Sequence, residues 1–481
     1  MVDTLDDALK DVSIDMKVVH INKNDLSGGA ARAAHRLHKG LQRVGHESVM
    51  LVESRSSDDP SVLVFEKPMD SLNLVRRGLR QIRNARDFKH YSNSRPGGYE
   101  LFSDDRSTYA ATLVDQIPAC QVINLHWIPG LVDYESFFTR VLPSTPIVWT
   151  LHDLNAMTGG CHYDLGCGRY VIHCGTCPQL GSEDSRDLSY DIWARKQRLF
   201  STIESSRLHF VTPSRWLAEE VKRSPFLGRF PVYVIPYGLD LEEFAPRNRG
   251  NVRDLLGIPR DARVLLFVAE QIGNKRKGFA RLMDALARCA GSIPNLLLLS
   301  TGQNRPAVPD GIPSVHVGSV NNDRFLSMVY SASDAFTICS VQDNLPNTVL
   351  EAMACGIPTV GIAAGGIPDM VRNGVNGFLV SANDEGALAD AITGLLHNGA
   401  RCAEMGANAR GIAVREYSLD LQARRYAELY ASLTGAGEET ASGQSTPSSG
   451  RVLGTTTAAA LEPRFLDGAS PSPETLGAME K

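Results

Sequence analysis

One local pattern occurs twice in this chain: an apolar strand, a glycine-bearing loop, then a helix with a single apolar face. Met16–Asn22 (MKVVHIN) leads through Asp25-Leu-Ser-Gly-Gly29 into a segment with Ala30, Ala33, Ala34, Leu37, Leu41 and Val44 at three-and-four spacing, stopped by Gly45. Arg263–Ala269 (RVLLFVA) leads through the loop Gln271–Gly278 into a second helical segment, Phe279–Cys289. Further short apolar runs follow each unit: Ser48–Glu53, Val122–His126, Ile147–Leu151 and His209–Thr212 after the first, and Asn295–Thr301, Val315–Val317, Ala335–Cys339 and Pro358–Ala363 after the second. Runs apolar on both faces suit parallel sheets covered by helices on either side. The expected fold is therefore α/β, two Rossmann-like domains facing across a cleft, with ligands at the strand C-termini.

The expected boundaries follow the same punctuation. Residues 1–15 lack an apolar period and are expected to be disordered. The first domain covers 16–230 and the second 231–411, with YVIPYGLD (Tyr233–Asp240) as the hinge. A helical segment takes 412–434. The Gly/Ser/Thr/Ala/Pro-rich stretch 435–481 is expected to be a disordered tail. The chain has 481 residues and a net charge of -5, which gives no case for a nucleic-acid partner. It has no long apolar run to span a membrane and no basic-then-apolar leader at its start, so a cytoplasmic location is expected. Of nine cysteines, Cys120, Cys289, Cys339, Cys355 and Cys402 lie scattered in apolar or helical contexts and read as buried thiols.

The densest chemistry lies in Ser333–Met370, SDAFTICSVQDNLPNTVLEAMACGIPTVGIAAGGIPDM. A strand runs into a polar loop, Pro346 opens a helix, Gly356 ends it, and Gly365-Gly366 precedes another helix start. Asp343 stands at the helix mouth and Glu351 within the helix. A helix N-terminus offers free N–H groups and a positive dipole end, which suits a diphosphate. The bland alternative is that Asp343 caps the helix and Glu351 is solvated. Asn274-Lys-Arg-Lys-Gly278 follows a strand and supplies fixed cations, against the alternative of a solvated basic turn. Trp149-Thr-Leu-His-Asp153 ends a first-domain strand with His152 at the cleft side, where a neutral imidazole is either structural or functional.

These residues resemble the retaining glycosyltransferases of family 4, whose hallmark is two acids with seven residues between, here D-NLPNTVL-E. The resemblance covers about residues 16–430 and implies the GT-B architecture and transfer of a hexosyl group from a nucleotide-diphosphate sugar, without a required metal or other cofactor. It implies that Asp343 contacts the sugar, Glu351 the ribose, and the backbone around Asn344, Leu345 and Thr348 the diphosphate or sugar. Lys277 matches the family's diphosphate lysine, and His152 the family's histidine near the anomeric carbon. Gly29 matches a loop that approaches donor phosphate or acceptor. The chain departs at two positions. The first acid is usually Glu, and the family's Arg six residues before Lys277 is here Gln271, for which Arg276 is the stand-in. The runs HDLNAMTGGCHY and CGTCPQL resemble a branch that assembles capsule and exopolysaccharide, implying a saccharide or lipid-linked acceptor. A catalytically silent sugar-nucleotide-binding subunit is the alternative. An NAD-dependent oxidoreductase fits less well, because Glu53 ends the second strand but the first loop lacks G-x-G-x-x-G.

Two features remain. Within an insert at 158–181, Cys161, Cys167, Cys174 and Cys177 are spaced C-x5-C-x6-C-x2-C. They fit a structural zinc site, packed free thiols, or a redox pair at Cys174/Cys177. In Asp70–His90, Leu72, Val75, Leu79 and Ile82 form an apolar stripe beside Arg76, Arg77, Arg80, Arg83 and Arg86. Such a helix either packs on its own domain or rests on the inner face of an anionic membrane.

Overall fold

The computed structural model describes residues 16–384 and 386–435. The expectations for 1–15 and for the tail beyond Gly435 lie outside the described residues.

The first sheet has seven parallel strands in the order β3-β2-β1-β4-β5-β6-β7. They are β1 (Lys17–Asn24), β2 (Glu47–Ser54), β3 (Val62–Val64), β4 (Val122–Leu125), β5 (Ile147–Thr150), β6 (Leu208–Thr212) and β7 (Val232–Val234). The second has six, β10-β9-β8-β11-β12-β13, also parallel. Its strands are β8 (Arg263–Val268), β9 (Leu296–Thr301), β10 (Ser314–His316), β11 (Ala335–Ile338), β12 (Thr359–Ile362) and β13 (Gly377–Val380). Both orders reverse beside the first strand of the domain, where open α/β sheets place their ligands. The central strands β4, β5, β6, β9, β11 and β12 are buried along their whole length, which is why they read as unbroken apolar runs.

Two expected boundaries shift. β7 pairs with β6 in the first sheet, so the first domain runs past residue 230. The limit at 411 falls inside the helix Gly399–Glu416. The following helix, Leu419–Thr434, returns to the first domain. Its Tyr426, Leu429 and Tyr430 share a core with Val18, Leu37, Leu41, Val122, Val148 and Val211. Its phenols meet polar groups inside the first sheet: Asn124 Nδ2 donates to Tyr430 OH at 2.7 Å, and Tyr426 OH lies 3.0 Å from Thr150 Oγ1. The last helix therefore ties the end of the second domain to the back of the first.

Candidate functional site

The mouth of the second sheet is built from β11, the loop 340–346 and the helix Asn347–Ala354. Two glycines set its shape. Gly278 has φ +67° and Gly365 φ +58°. A Cβ on Gly278 would sit 1.9 Å from Cys339 O, and one on Gly365 1.9 Å from Asp343 O. Only glycine permits both the conformation and the approach. The loop carrying Lys277 is thus pressed onto the end of β11, and the Gly-Gly turn onto Asp343.

Asp343 is 6% exposed. Its Oδ2 accepts from Lys277 Nζ at 2.8 Å and Ser340 Oγ at 3.1 Å, and lies 2.9 Å from Arg276 Nη1. Burial raises this carboxyl, but Arg276 and Lys277 outweigh it and hold it below the usual carboxylate range. Arg276 is itself enclosed. Its Nε donates to Glu100 Oε1 at 2.6 Å, Nη1 donates to Gln342 O at 3.0 Å, and its guanidinium lies 4.0 Å from the centre of the Tyr163 ring. Gln271 is exposed and contributes no charge here, whereas Arg276 occupies the position beside the acid.

Glu351, 3% exposed, lies deeper in the helix. It accepts from Tyr330 OH at 3.1 Å and from Arg36 Nη2 of the first domain at 3.0 Å. Arg36 also reaches Asp323 at 3.3 Å and lies over the Phe244 ring. Burial raises the Glu351 carboxyl, with Arg36 opposing.

The first domain closes on this mouth. Gly29 begins the helix Gly29–Arg43, and its carbonyl accepts from Asn347 Nδ2 at 3.1 Å. Asn344 Nδ2 donates to His152 O at 3.1 Å, while Asn344 Oδ1 accepts from Ser214 Oγ at 2.6 Å. Leu345 is buried in the second core, and Thr348 is half-buried in the first helical turn. His152, Gly29, Arg276, Lys277, Asp343, Asn344, Thr348 and Glu351 therefore gather where the two sheets' C-terminal ends meet. In this closed arrangement the cavity beside His126, His152 and Asp153 is only about 10 Å³, room for about one water. The segment around Glu100 overlies the cations: Lys275 N donates to Gly98 O at 3.0 Å, and Asn274 Nδ2 to Glu100 Oε1 at 2.9 Å.

His152 is placed differently from expectation. Both ring nitrogens are taken by protein groups, Nε2 by His126 at 3.1 Å and Nδ1 by Tyr237 OH at 2.6 Å, so neither is free for a sugar hydroxyl. Burial lowers His152 to about 4 despite Asp153 beside it, and lowers His38 to about 4. His20 and His126 are held well below the ordinary value, again first by burial. The unfolded chain takes up protons below about pH 6.5 that these buried rings refuse. Stability is therefore expected to fall as pH drops from about 6.5 to 4, by up to about 1.4 kcal/mol per pH unit for each ring. Asp105, raised to about 6 by burial against Arg195, offsets part of this. Urea midpoints measured across that range check it, and a flat profile contradicts it.

The insert forms a lip over the mouth: Leu165 N donates to Gln342 Oε1 at 2.9 Å, and Gln342 Nε2 to Asp164 Oδ1 at 2.7 Å. A four-thiolate zinc site needs converging ligands, and among the described residues no group of three or more His, Cys, Asp or Glu side chains is arranged to hold a metal ion. Cys161, Cys167, Cys174 and Cys177 are free thiols. Burial raises Cys161, Cys174 and Cys177 above the ordinary thiol value. The root of the insert is tied by buried Lys196, whose ammonium donates to Asn155 O and, at 3.0 Å, to Thr158 O.

Arg36, Glu100, Tyr163, Tyr237 and Tyr330 escaped the sequence reading. A signal existed for some of them. Arg36 interrupts an apolar helix face next to Leu37, and histidines recur on three neighbouring strands, His20 within β1, His126 just after β4 and His152 just after β5.

Residues 262–398 match the family model "Glycosyl transferases group 1". A D-inositol 3-phosphate glycosyltransferase of Mycobacterium bovis (strain BCG / Pasteur 1173P2) is 32% identical over 176 residues, covering 34% of this chain and 35% of that protein. The chain thus spans about a third of the curated relatives it matches. A sucrose-phosphate synthase from Thermosynechococcus elongatus superposes with TM-score 0.58 at 19% identity, covering 88% of this chain and all of that one. Anabaena Alr3699/HepE, solved with UDP and glucose, gives 0.55 at 16%, covering 87% and 100%. WaaG, a glycosyltransferase of lipopolysaccharide biosynthesis, gives 0.56 at 18%, also covering 87% and 100%. The fold is the two-domain GT-B arrangement.

Proposed function

We propose that this chain is a retaining, metal-independent glycosyltransferase that moves a hexosyl group from a nucleotide-diphosphate sugar to a saccharide or lipid-linked saccharide of a surface polysaccharide. The observation that carries this reading is the convergence of Lys277 and Arg276 on Asp343 at the N-terminus of the helix Asn347–Ala354. A departing diphosphate needs fixed positive charge, and two cations beside free helix N–H groups supply it without reorganisation. In this account Lys277 turns from Asp343 to the diphosphate, and Asp343 orients the sugar hydroxyls. Glu351 leaves Arg36 to take the ribose. The bond from the anomeric carbon to phosphate loosens first. The acceptor oxygen then bonds to that carbon on the same face, and its proton passes to the departing phosphate oxygen.

The donor reaches these groups only if the domains part, because Glu100 and Arg36 hold the same charges in the closed state. Thermal shift with a panel of nucleotide sugars tests the reading, since a cognate donor stabilises the folded cleft by mass action. Stabilisation by none would reject it. Donor binding without turnover on any saccharide or phosphorylated polyol would favour the silent subunit.

The helix Ser71–Lys89 supports a lipid-linked acceptor. None of its residues is buried, and Leu72, Val75, Leu79 and Ile82 are 58–67% exposed. Arg77 and Arg80 face inward, reaching Pro68 O and Thr108 O, while Arg76, Arg83 and Arg86 flank the outward stripe. An apolar stripe bordered by arginines fits an anionic bilayer surface. No helix among the described residues is long and apolar enough to cross one. The protein is expected to sediment with phosphatidylglycerol vesicles but not phosphatidylcholine vesicles, and Leu79→Glu/Ile82→Glu should abolish this without lowering stability. Equal binding to both vesicle types would remove the charge argument.

A further inference from the structure

A second cleft, of about 450 Å³, lies at the opposite end of the helix Asn347–Ala354 from Asp343, where Gly356 and Ile357 line it. That helix has eight residues and so rises about 12 Å, which separates this cleft from the mouth. The volume is that of a small-molecule site. Part of its wall is bare backbone, where Gly356 meets Gly406 of the helix Gly399–Glu416. A Cβ on Gly406 would sit 2.2 Å from Gly356 O, so no side chain fits there.

The lining of this cleft includes Arg247, Arg249 and Arg410 and no acidic residue. Arg249 Nη1 pairs with Asp334 at 2.9 Å, but Arg253 takes the other oxygen of that carboxylate, also at 2.9 Å. Arg247 and Arg410 meet no carboxylate among the described residues. They donate to carbonyls instead, Arg247 Nη2 to Glu242 O at 2.9 Å and Glu243 O at 2.8 Å. Arg410 reaches Leu241 O at 3.1 Å, and Phe244 O and Ala354 O at 2.8 Å. Carbonyls satisfy N–H groups without cancelling a charge, and two guanidiniums on the neighbouring carbonyls of Glu243 and Phe244 repel. Burial lowers Arg410 from the ordinary guanidinium value, and the Arg247 charge lowers it further. Among the described residues Nε and Nη1 of Arg247 and Nε of Arg410 have no hydrogen-bond partner.

The helix ends agree with this charge. Arg249 opens the helix Arg249–Leu256, which puts a positive dipole end at the edge of the cleft. The negative end of Asn347–Ala354 is covered, because Arg410 donates to its last carbonyl. Closing that helix explains Arg410, but it gives no reason for Arg247 and Arg249 to line the same cleft.

We infer that this cleft binds a small phosphate monoester, its phosphate held by Arg247, Arg249 and Arg410. Guanidinium N–H pairs match phosphate oxygens, and a dianion relieves the uncancelled charge. A free phosphate ion would leave most of the space empty, so the organic part of the ester lies along the Gly356–Gly406 wall. The inference does not rest on the proposed function.

Calorimetry on the full-length protein at constant ionic strength tests it, with glucose 6-phosphate, glucose 1-phosphate, glycerol 3-phosphate and inorganic phosphate as probes. At least one ester is expected to bind more tightly than inorganic phosphate. Its affinity should persist in Lys277→Ala, which disarms the mouth, and fall about ten-fold in Arg247→Gln/Arg249→Gln. Arg253 still pairs Asp334 in that variant, and Arg410 keeps its carbonyls. No binding by any ester, binding lost in Lys277→Ala, or binding unchanged in the double variant overturns the site. Equal affinity for inorganic phosphate overturns the monoester assignment. If the double variant does not fold, a crystal of the wild type soaked with the tightest ester decides. Its phosphate is expected within hydrogen-bond distance of Arg247 and Arg249, and a phosphate seated elsewhere overturns the proposal.

Discussion

Replacing Lys277 by alanine is expected to lower turnover about a hundred- to a thousand-fold while leaving the fold intact. The magnitude follows from removing one preorganised group that meets developing charge in the transition state. The side chain is 28% exposed and sits on a loop, so little packing is lost. Asp343 keeps Arg276 and Ser340 as partners, which avoids stranding a buried carboxylate. Steady-state rates with the donor found by thermal shift, beside urea denaturation of the same variant, separate the two effects. Activity within a few fold of wild type would take Lys277 out of the reaction.

Arg36→Met is expected to be the most destabilising single change at the site, by about 3–5 kcal/mol. It leaves Glu351 buried with Tyr330 as its remaining hydrogen-bond partner, where burial already raises its carboxyl. Adding Glu351→Gln should recover much of the loss, because the stranded charge is gone. Glu351→Gln alone should instead weaken the nucleoside diphosphate, which calorimetry reads directly. Chemical denaturation of the three variants checks the cycle. A small effect of Arg36→Met, or losses that simply add, would mean that the cross-domain pair contributes little.

How much of this was legible in the sequence depends on whether the signal is local. The buried strands and the two glycine loops could be read because a parallel strand covered on both faces has a composition of its own. The acid pair, Lys277 and Gly365-Gly366 could be read because loop and helix lie within one stretch of chain. β13 was missed because Gly377–Val380 is an edge strand buried only in part, unlike the equally short but fully buried β11 and β12, and β7 because its strand lies next to the Pro-Gly hinge. The return of Leu419–Thr434 to the first sheet has no local signature, since an amphipathic stripe does not say which core it covers. The same holds for the partners of the acids. Arg36 and Glu351 are 315 residues apart, and Arg276 and Glu100 176 apart. Only the closed fold brings these charges together.

The central claim is that the strand-end mouth of the second domain grips a diphosphate. A crystal structure of the protein soaked with UDP or GDP tests it most directly. The account predicts phosphate oxygens within hydrogen-bond distance of Lys277 Nζ and of the free N–H groups that open the helix Asn347–Ala354, with Lys277 turned away from Asp343. A diphosphate seated elsewhere, with the Lys277–Asp343 pair still closed, would contradict it.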